Sequence, residues 1–267
     1  YFEDLYGFDL TNGVKAMGGT GGSLGGAGTV YWESANGLCK ELRLEGLGSA
    51  TGLTPLGALD VDRLVLTNSA ASIETNLHIQ EIALINATAS FLGTVTAENI
   101  SLTGTSIVTH AASTVIQEYG LDLVVSNTLS IGSNSAIDVS GRGYLPGRTA
   151  GNITNGASTG TSGGSHGGLG GGGAVANAYG DYRSPILPGS GGGDSHAGAG
   201  GGRINIHSHN LTLDGTILAN GGNGTSGWNA GGGAGGSICI EAQTLAGNGL
   251  ISACGGNGNS AGGGGGG

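Results

Sequence analysis

Several arrangements of side chains in this sequence have the types and spacing to do chemistry. Five Asn-x-Ser/Thr triplets, at Asn86, Asn99, Asn152, Asn210 and Asn223, have the form of N-glycan acceptors in a secreted eukaryotic chain. The competing reading is structural, because Asn in the turns of stacked strands builds hydrogen-bonded ladders. Asn99 and Asn210 each precede a strand-like phrase by one residue. His207 and His209, two apart on a predicted strand, would share one face and could offer two ligands to a metal, but no third ligand lies nearby. Asp60 and Asp62, with Arg63 adjoining, form the one close carboxylate pair on a predicted strand apart from Glu3 and Asp4. Acid-base hydrolysis or lysis of a polysaccharide needs such a pair. Alternation would place both aspartates on the solvated side.

The three cysteines lack a Cys-x-x-Cys spacing, which removes zinc and thioredoxin chemistry. Cys239 and Cys254 are 15 apart, close to one turn of the repeat described below, and are the expected disulfide; Cys39 is left over. The two Gly-Gly-Asn-Gly phrases, at 221–224 and 255–258, continue as Thr225-Ser226 and Asn259-Ser260, so the aspartate of a calcium-binding roll is missing both times. No Gly-x-Gly-x-x-Gly phrase sits between a strand and a helix, and no cofactor is expected.

Charge narrows the partners. Eighteen acidic and 8 basic residues give a net charge of −10, and the basic residues are scattered singly. A phosphate backbone would find no cationic stripe, so nucleic acid is not an expected partner. Apolar runs are all too short to cross a bilayer as a helix. The sequence opens at Tyr1 without an initiator Met or a basic, apolar leader, which reads as a processed chain or a piece of a longer one.

What would position these residues is a repeat. Gly is 62 of 267 residues, unevenly spread: residues 1–48 hold 12, residues 49–140 hold 6 and residues 141–267 hold the rest. The middle stretch therefore has the side chains for a core. There an apolar-x-apolar phrase is followed by a further apolar residue: Leu64-Val65-Leu66 with Ile73, Ile82-Ala83-Leu84 with Phe91, and Ile100-Ser101-Leu102 with Ile107. Residues 64, 82 and 100 are spaced by 18, and the phrase returns at Leu129-Ser130-Ile131 and Leu211-Thr212-Leu213. Alternation with period two marks strands, and a fixed period marks stacked coils that bury a shared interior. An all-β fold follows, with Ile82, Leu84, Ile100, Leu102, Leu211 and Leu213 facing inward.

A second repeat has an offset of 34. Gly215 to Gly224 matches Gly249 to Gly258, and Arg203-Ile204-Asn205-Ile206 matches Ser237-Ile238-Cys239-Ile240. A looser copy at the amino terminus aligns Val14 to Gly19 with Ile217 to Gly222 and sets Thr29 to Trp32 in the place of the strand. These units read as coils with long glycine-rich excursions at one corner, with Gly221, Gly222, Gly255 and Gly256 turning the chain. Longer runs, such as Gly170 to Gly173 and Gly262 to Gly267, are either extended segments bonded through their backbones or flexible linkers, and their register with strands favours order. Tyr31, Trp32, Trp228, Tyr179 and Tyr182 are aromatics that either stack on sugars or pack over glycine.

Gly-Gly-Asn-Gly, a glycine cluster and a strand such as Arg203 to Ile206 together resemble the glycine-rich β-helix repeats of very large extracellular proteins. These are adhesins and the surface or flagellar-hair (mastigoneme-type) filament proteins of microbial eukaryotes. That resemblance implies a single right-handed parallel β-helix, with glycine-rich coils over 1–48 and 141–267 and regular coils over 49–140. It also implies secretion, N-linked glycans and a mechanical or adhesive role. The expected function is that of a non-enzymatic extracellular filament protein partnered by copies of itself. Alternatives are an adhesin or a glycan- or ice-binding module, with surface polysaccharide as partner, and more remotely a polysaccharide lyase.

Overall fold

A computed structural model describes residues 13–20, 25–34, 39–47, 52–225 and 228–267. All fifteen elements among them are strands. In chain order they are β1 (Thr29–Glu33), β2 (Lys40–Glu45), β3 (Leu53–Leu56), β4 (Arg63–Thr67), β5 (Ala70–Ile73), β6 (Leu77–Ile85), β7 (Thr88–Phe91) and β8 (Val95–Thr103). There follow β9 (Ile107–His110), β10 (Leu121–Ile131), β11 (Ala136–Asp138), β12 (Arg203–Leu213), β13 (Thr216–Leu218), β14 (Ser237–Ala246) and β15 (Leu250–Ser252).

They form two sheets, and from β2 onward the chain alternates between them. The larger runs β1-β2-β4-β6-β8-β10-β12-β14 and the smaller β3-β5-β7-β9-β11-β13-β15. Every pairing is parallel except β1 with β2. Each coil thus adds one strand to each sheet, and the apolar residues of both sheets meet between them. Leu42, Leu64, Ile82, Ile100, Leu129 and Leu211 form one rank of this interior, all buried.

Register turns the sequence repeats into coils. Leu64 pairs with Ile82 and Ile82 with Ile100, the same partners that the shorter sequence period links. Leu211 pairs with Leu245, which realises the longer offset. Leu129 and Leu211 also pair directly although far apart in the chain, so everything between β11 and β12 is an excursion from a single coil. It closes on itself where Gly202 N donates to Val139 O at 2.8 Å.

One corner recurs with a left-handed residue. Asn68, Asn86 and Gly104 follow β4, β6 and β8 and have φ of 47°, 51° and 66°. Asn tolerates this conformation because its side chain can bond locally; Asn86 Oδ1 accepts from Thr105 N, 3.1 Å away in the next coil. The following corner holds one extra residue, Ser106, whose hydroxyl donates to Thr103 O and accepts from Ala87 N. As a result Val108, not the expected Ile107, lies opposite Ala89 inside the stack, and His110 lies opposite Phe91.

The amino-terminal region departs from expectation. β1 is antiparallel to β2, so Thr29 to Trp32 is not a parallel coil like β12; it closes one end of the larger sheet. An alternating apolar pattern carries no strand direction, which is why the match misleads. β2 falls within the glycine-rich stretch 1–48 yet is an ordinary core strand, in parallel register with β4.

The glycine tracts of the excursion and of the last two coils are ordered and backbone-bonded. Residues 231–237 show the rule, donating in a rhythm of three. Gly232 and Gly235 donate to Gly263 and Gly266, Gly233 and Gly236 to Gly222 and Ala219, and Ala234 and Ser237 to Ser190 and Gly202. The carbonyls of 231–235 accept from other sides: Gly198 and Gly201 bond to Gly231 and Ala234, Gly164 to Gly232, and Gly256 to Gly233. A three-residue rotation of bonding direction is the geometry of polyproline II, not of a sheet. Segments wound this way bond to neighbours all around. A Cβ at Gly198 or Gly233 would fall on the carbonyl oxygen of Gly222 or Ala199, so the packing distance admits only hydrogen there. Where room allows, Ala230, Ala234 and Ser190 occupy the interior, fully buried. Gly221, Gly222, Gly255 and Gly256, expected as corners, belong to this bundle.

Candidate functional site

β14 and β15 form the last described coil of the stack; of its inward-facing positions, Ile238 and Ile240 are partly buried against the core, whereas Leu245 and Ile251 are exposed. Leu245 is 60% exposed whereas Leu211, its register partner one coil below, is 1% exposed. Ile251 is 43% exposed, against 0% for its partner Ile217. Leu250 is exposed as well. Among the described residues no further strand pairs with β14 or β15 on this side. Unpaired parallel edges beside bare aliphatic groups are a template for a further strand pair.

Along the outside of the larger sheet runs one polar rank: Glu41, Arg63, Glu81, Asn99, Thr128, Asn210 and Thr244, each in register with the next. Its first half is ionic, with Arg63 bonded to Glu41 at 3.1 Å and to Glu81 at 2.9 Å, and Arg43 to Glu41 at 2.9 Å. Its second half is neutral. Asn99 Oδ1 accepts from Asn127 at 2.9 Å, and Asn210 Oδ1 from the Thr244 hydroxyl at 2.6 Å. Asn127 reaches this rank because Ser126 and Asn127 form a bulge in β10.

The other sequons are similarly engaged. Asn86 holds its left-handed corner, and exposed Asn223 accepts from Asn257 N at 2.8 Å. Asn152 donates its Nδ2 to Thr114 O at 2.8 Å, and its Oδ1 is buried without a partner.

Asp60 and Asp62 lie in the turn before β4, not on a strand, and they serve different partners. Asp60 pairs with Lys40 Nζ at 2.7 Å and is almost fully exposed. This contact raises the Lys40 pKa. Asp62 Oδ2 accepts from Lys40 N at 2.7 Å, tying adjacent coils. Glu3 and Asp4 lie outside the described residues. His207 and His209 both line an open groove across β10, β12 and β14, and His207 Nδ1 lies 2.8 Å from Glu241. Among the described residues, no three metal-ligating side chains converge.

All three cysteines are free, so the expected bridge between Cys239 and Cys254 is not formed. The reason is coil length. Cys239 stacks on Asn205, a full turn earlier, while Cys254 lies less than half a turn on, just past β15 of the other sheet. Burial, then the charge of Glu41, pushes the Cys39 thiol pKa up.

His110, at the end of β9, and His166, Tyr144 and Tyr179, within the glycine-rich region, are held in place by the fold, and no sequence pattern marks them. His110 is buried, with Nδ1 donating to Ala111 O at 2.6 Å and Nε2 unpartnered; burial pushes its pKa down to about 4. His166 Nδ1 donates to Gly235 O at 2.9 Å, completing the three-residue rhythm from a side chain, and burial lowers its pKa. Tyr144 donates to Glu118 at 3.1 Å, and burial with that carboxylate beside it lifts the phenol to about 12. The Tyr179 hydroxyl donates to Pro188 O at 2.7 Å, and burial raises its pKa. Exposed Trp228 stacks on His196 with ring centroids 3.9 Å apart, and Arg43 lies 5.2 Å over half-buried Trp32.

No family model, curated protein or solved structure matches the chain. Among the described residues no helix is long and apolar enough to cross a membrane.

Proposed function

We propose that this is a non-enzymatic, extracellular structural protein whose coils wind as a right-handed parallel β-helix, forming a rod-like segment that associates with copies of itself. One observation carries the reading: from β2 to β15 successive coils stack their strands in parallel register around one continuous aliphatic interior, the build of a stiff rod. Burying aliphatic surface in that interior is worth about 25 cal/mol per Å². Dispersed charge and a net −10 act against non-specific sticking along the sides of the rod. Asn223 is the exposed sequon and has room for a glycan, whereas Asn152 would have to give up its bond to Thr114.

Sedimentation velocity and electron micrographs of the full chain test this. Concentration-dependent elongated assemblies are expected, and Leu102→Asp, which disrupts the stack, should abolish them. Compact single particles at every concentration of the unaltered chain would remove the assembly reading.

A further inference from the structure

A cleft of about 360 Å³ opens where the loop 178–185 stands away from the glycine bundle. Its floor is built and held. His166 is anchored by its bond to Gly235, Tyr179 N donates to His166 O at 3.0 Å, the Tyr179 hydroxyl is fixed on Pro188, and the two rings meet with centroids 4.9 Å apart. Gly236, whose N–H is bonded to Ala219 O, also lines the cleft. On the lip stand Asp181, Tyr182 and Pro185. The lip is a defined turn: Asp181 Oδ1 accepts from Arg183 N at 2.9 Å, and Ser184 N donates to Asp181 O at 3.1 Å. Yet Tyr182 is 82% exposed, an aromatic ring displayed at the mouth of a pocket in a chain with only 4% aromatics.

We infer that this cleft binds a neutral sugar ring. A pocket of this size, mostly apolar with a few fixed polar groups, is the general form of a small-ligand site. A pyranose has an apolar face for Tyr182 and a rim of hydroxyls for the Asp181 carboxylate. Charge decides against acidic sugars. Asp181 is offset locally by Arg183, whose guanidinium lies 4.8 Å over the Tyr182 ring, so the mouth has no net positive charge, and the chain as a whole is strongly anionic. Because the floor is already bonded into the bundle, little ordering opposes binding.

Saturation-transfer NMR of the full chain with the methyl glycosides of glucose, galactose, mannose and N-acetylglucosamine, and with methyl glucuronide, tests the assignment. Transfer to at least one neutral glycoside and none to the glucuronide is expected. Tyr182→Ala should weaken binding about tenfold or more, the order of one lost ring contact, while Tyr182→Phe retains it and both keep the melting temperature of the unaltered chain. Silence from all four neutral sugars, equal binding by Tyr182→Ala, or preference for the glucuronide would each overturn it. The inference is independent of self-assembly, which sedimentation reads separately.

Discussion

Between β2 and β11 the chain coheres through apolar side chains, whereas the glycine segments of the excursion and of the last two coils cohere mainly through backbone hydrogen bonds, joined by the buried Ser158, Ser165, Ser190 and His166 side chains. In the first region the hydrogen bonds run along the stack, and leucine, isoleucine and valine fill the space between sheets. In the second no comparable apolar filling exists, and successive amides turn to different neighbours. The lesson concerns tolerance. A side-chain core should object to lost volume or added charge, and a backbone core to a single added methyl.

The largest effect should come from the first region. Leu102, 1% exposed, replaced by Asp would bury an unpaired carboxylate, and a loss above about 4 kcal/mol in urea unfolding is expected. An unchanged midpoint would contradict the stacked core. Acid should attack the seam between the regions, where His110 abuts Gly202. Its folded pKa of about 4 lies below the usual 6.5, so the unfolded chain takes the proton first. Stability from this residue is complete above pH 6.5 and drains away as pH falls toward 4, by about 3 kcal/mol in all. Urea midpoints of the unaltered chain and His110→Gln should accordingly converge in acid; parallel curves would show that His110 is not the titrating group.

Two adjacent glycines sharpen the contrast. A methyl at Gly265 would strike the Gly233 carbonyl, while at Gly264 the nearest atom is 3.8 Å away. Gly265→Ala should cost about 1–3 kcal/mol by overpacking, and Gly264→Ala should be neutral or slightly stabilising through a less flexible unfolded chain. Equal melting temperatures for the pair would break the bundle description. The smallest effect belongs to the corner: Asn86→Ala should cost about 1 kcal/mol for a left-handed backbone and its lost acceptor, with Asn86→Gly costing less, read by thermal unfolding.

How much is legible in the sequence follows from coil length. Residues 64, 82 and 100 announce their register because coils that short leave no room for insertion, so spacing in sequence equals stacking in space. The longer offset speaks for the same reason. Leu129 and Leu211 carry the same phrase, but nothing in the letters says that strands on either side of so long an excursion touch. Glycine tracts announce order only through their register with strands; the three-way bonding is a property of backbone torsion, which every glycine spells identically. The rank joining Asn99 to Asn210 is half visible, as a shared repeat position. The cleft is not, because His166, Tyr179 and Gly267 are brought together by the bundle and by no local pattern.

A pleated sheet can be peeled, since its bonds lie in one plane and its outermost strand can be lifted away. The glycine bundle has no such plane. Pulling any one segment of 231–237 sideways stretches bonds to neighbours on the opposite flanks, and a protease seeking a liftable strand finds neither slack nor a side chain to grip.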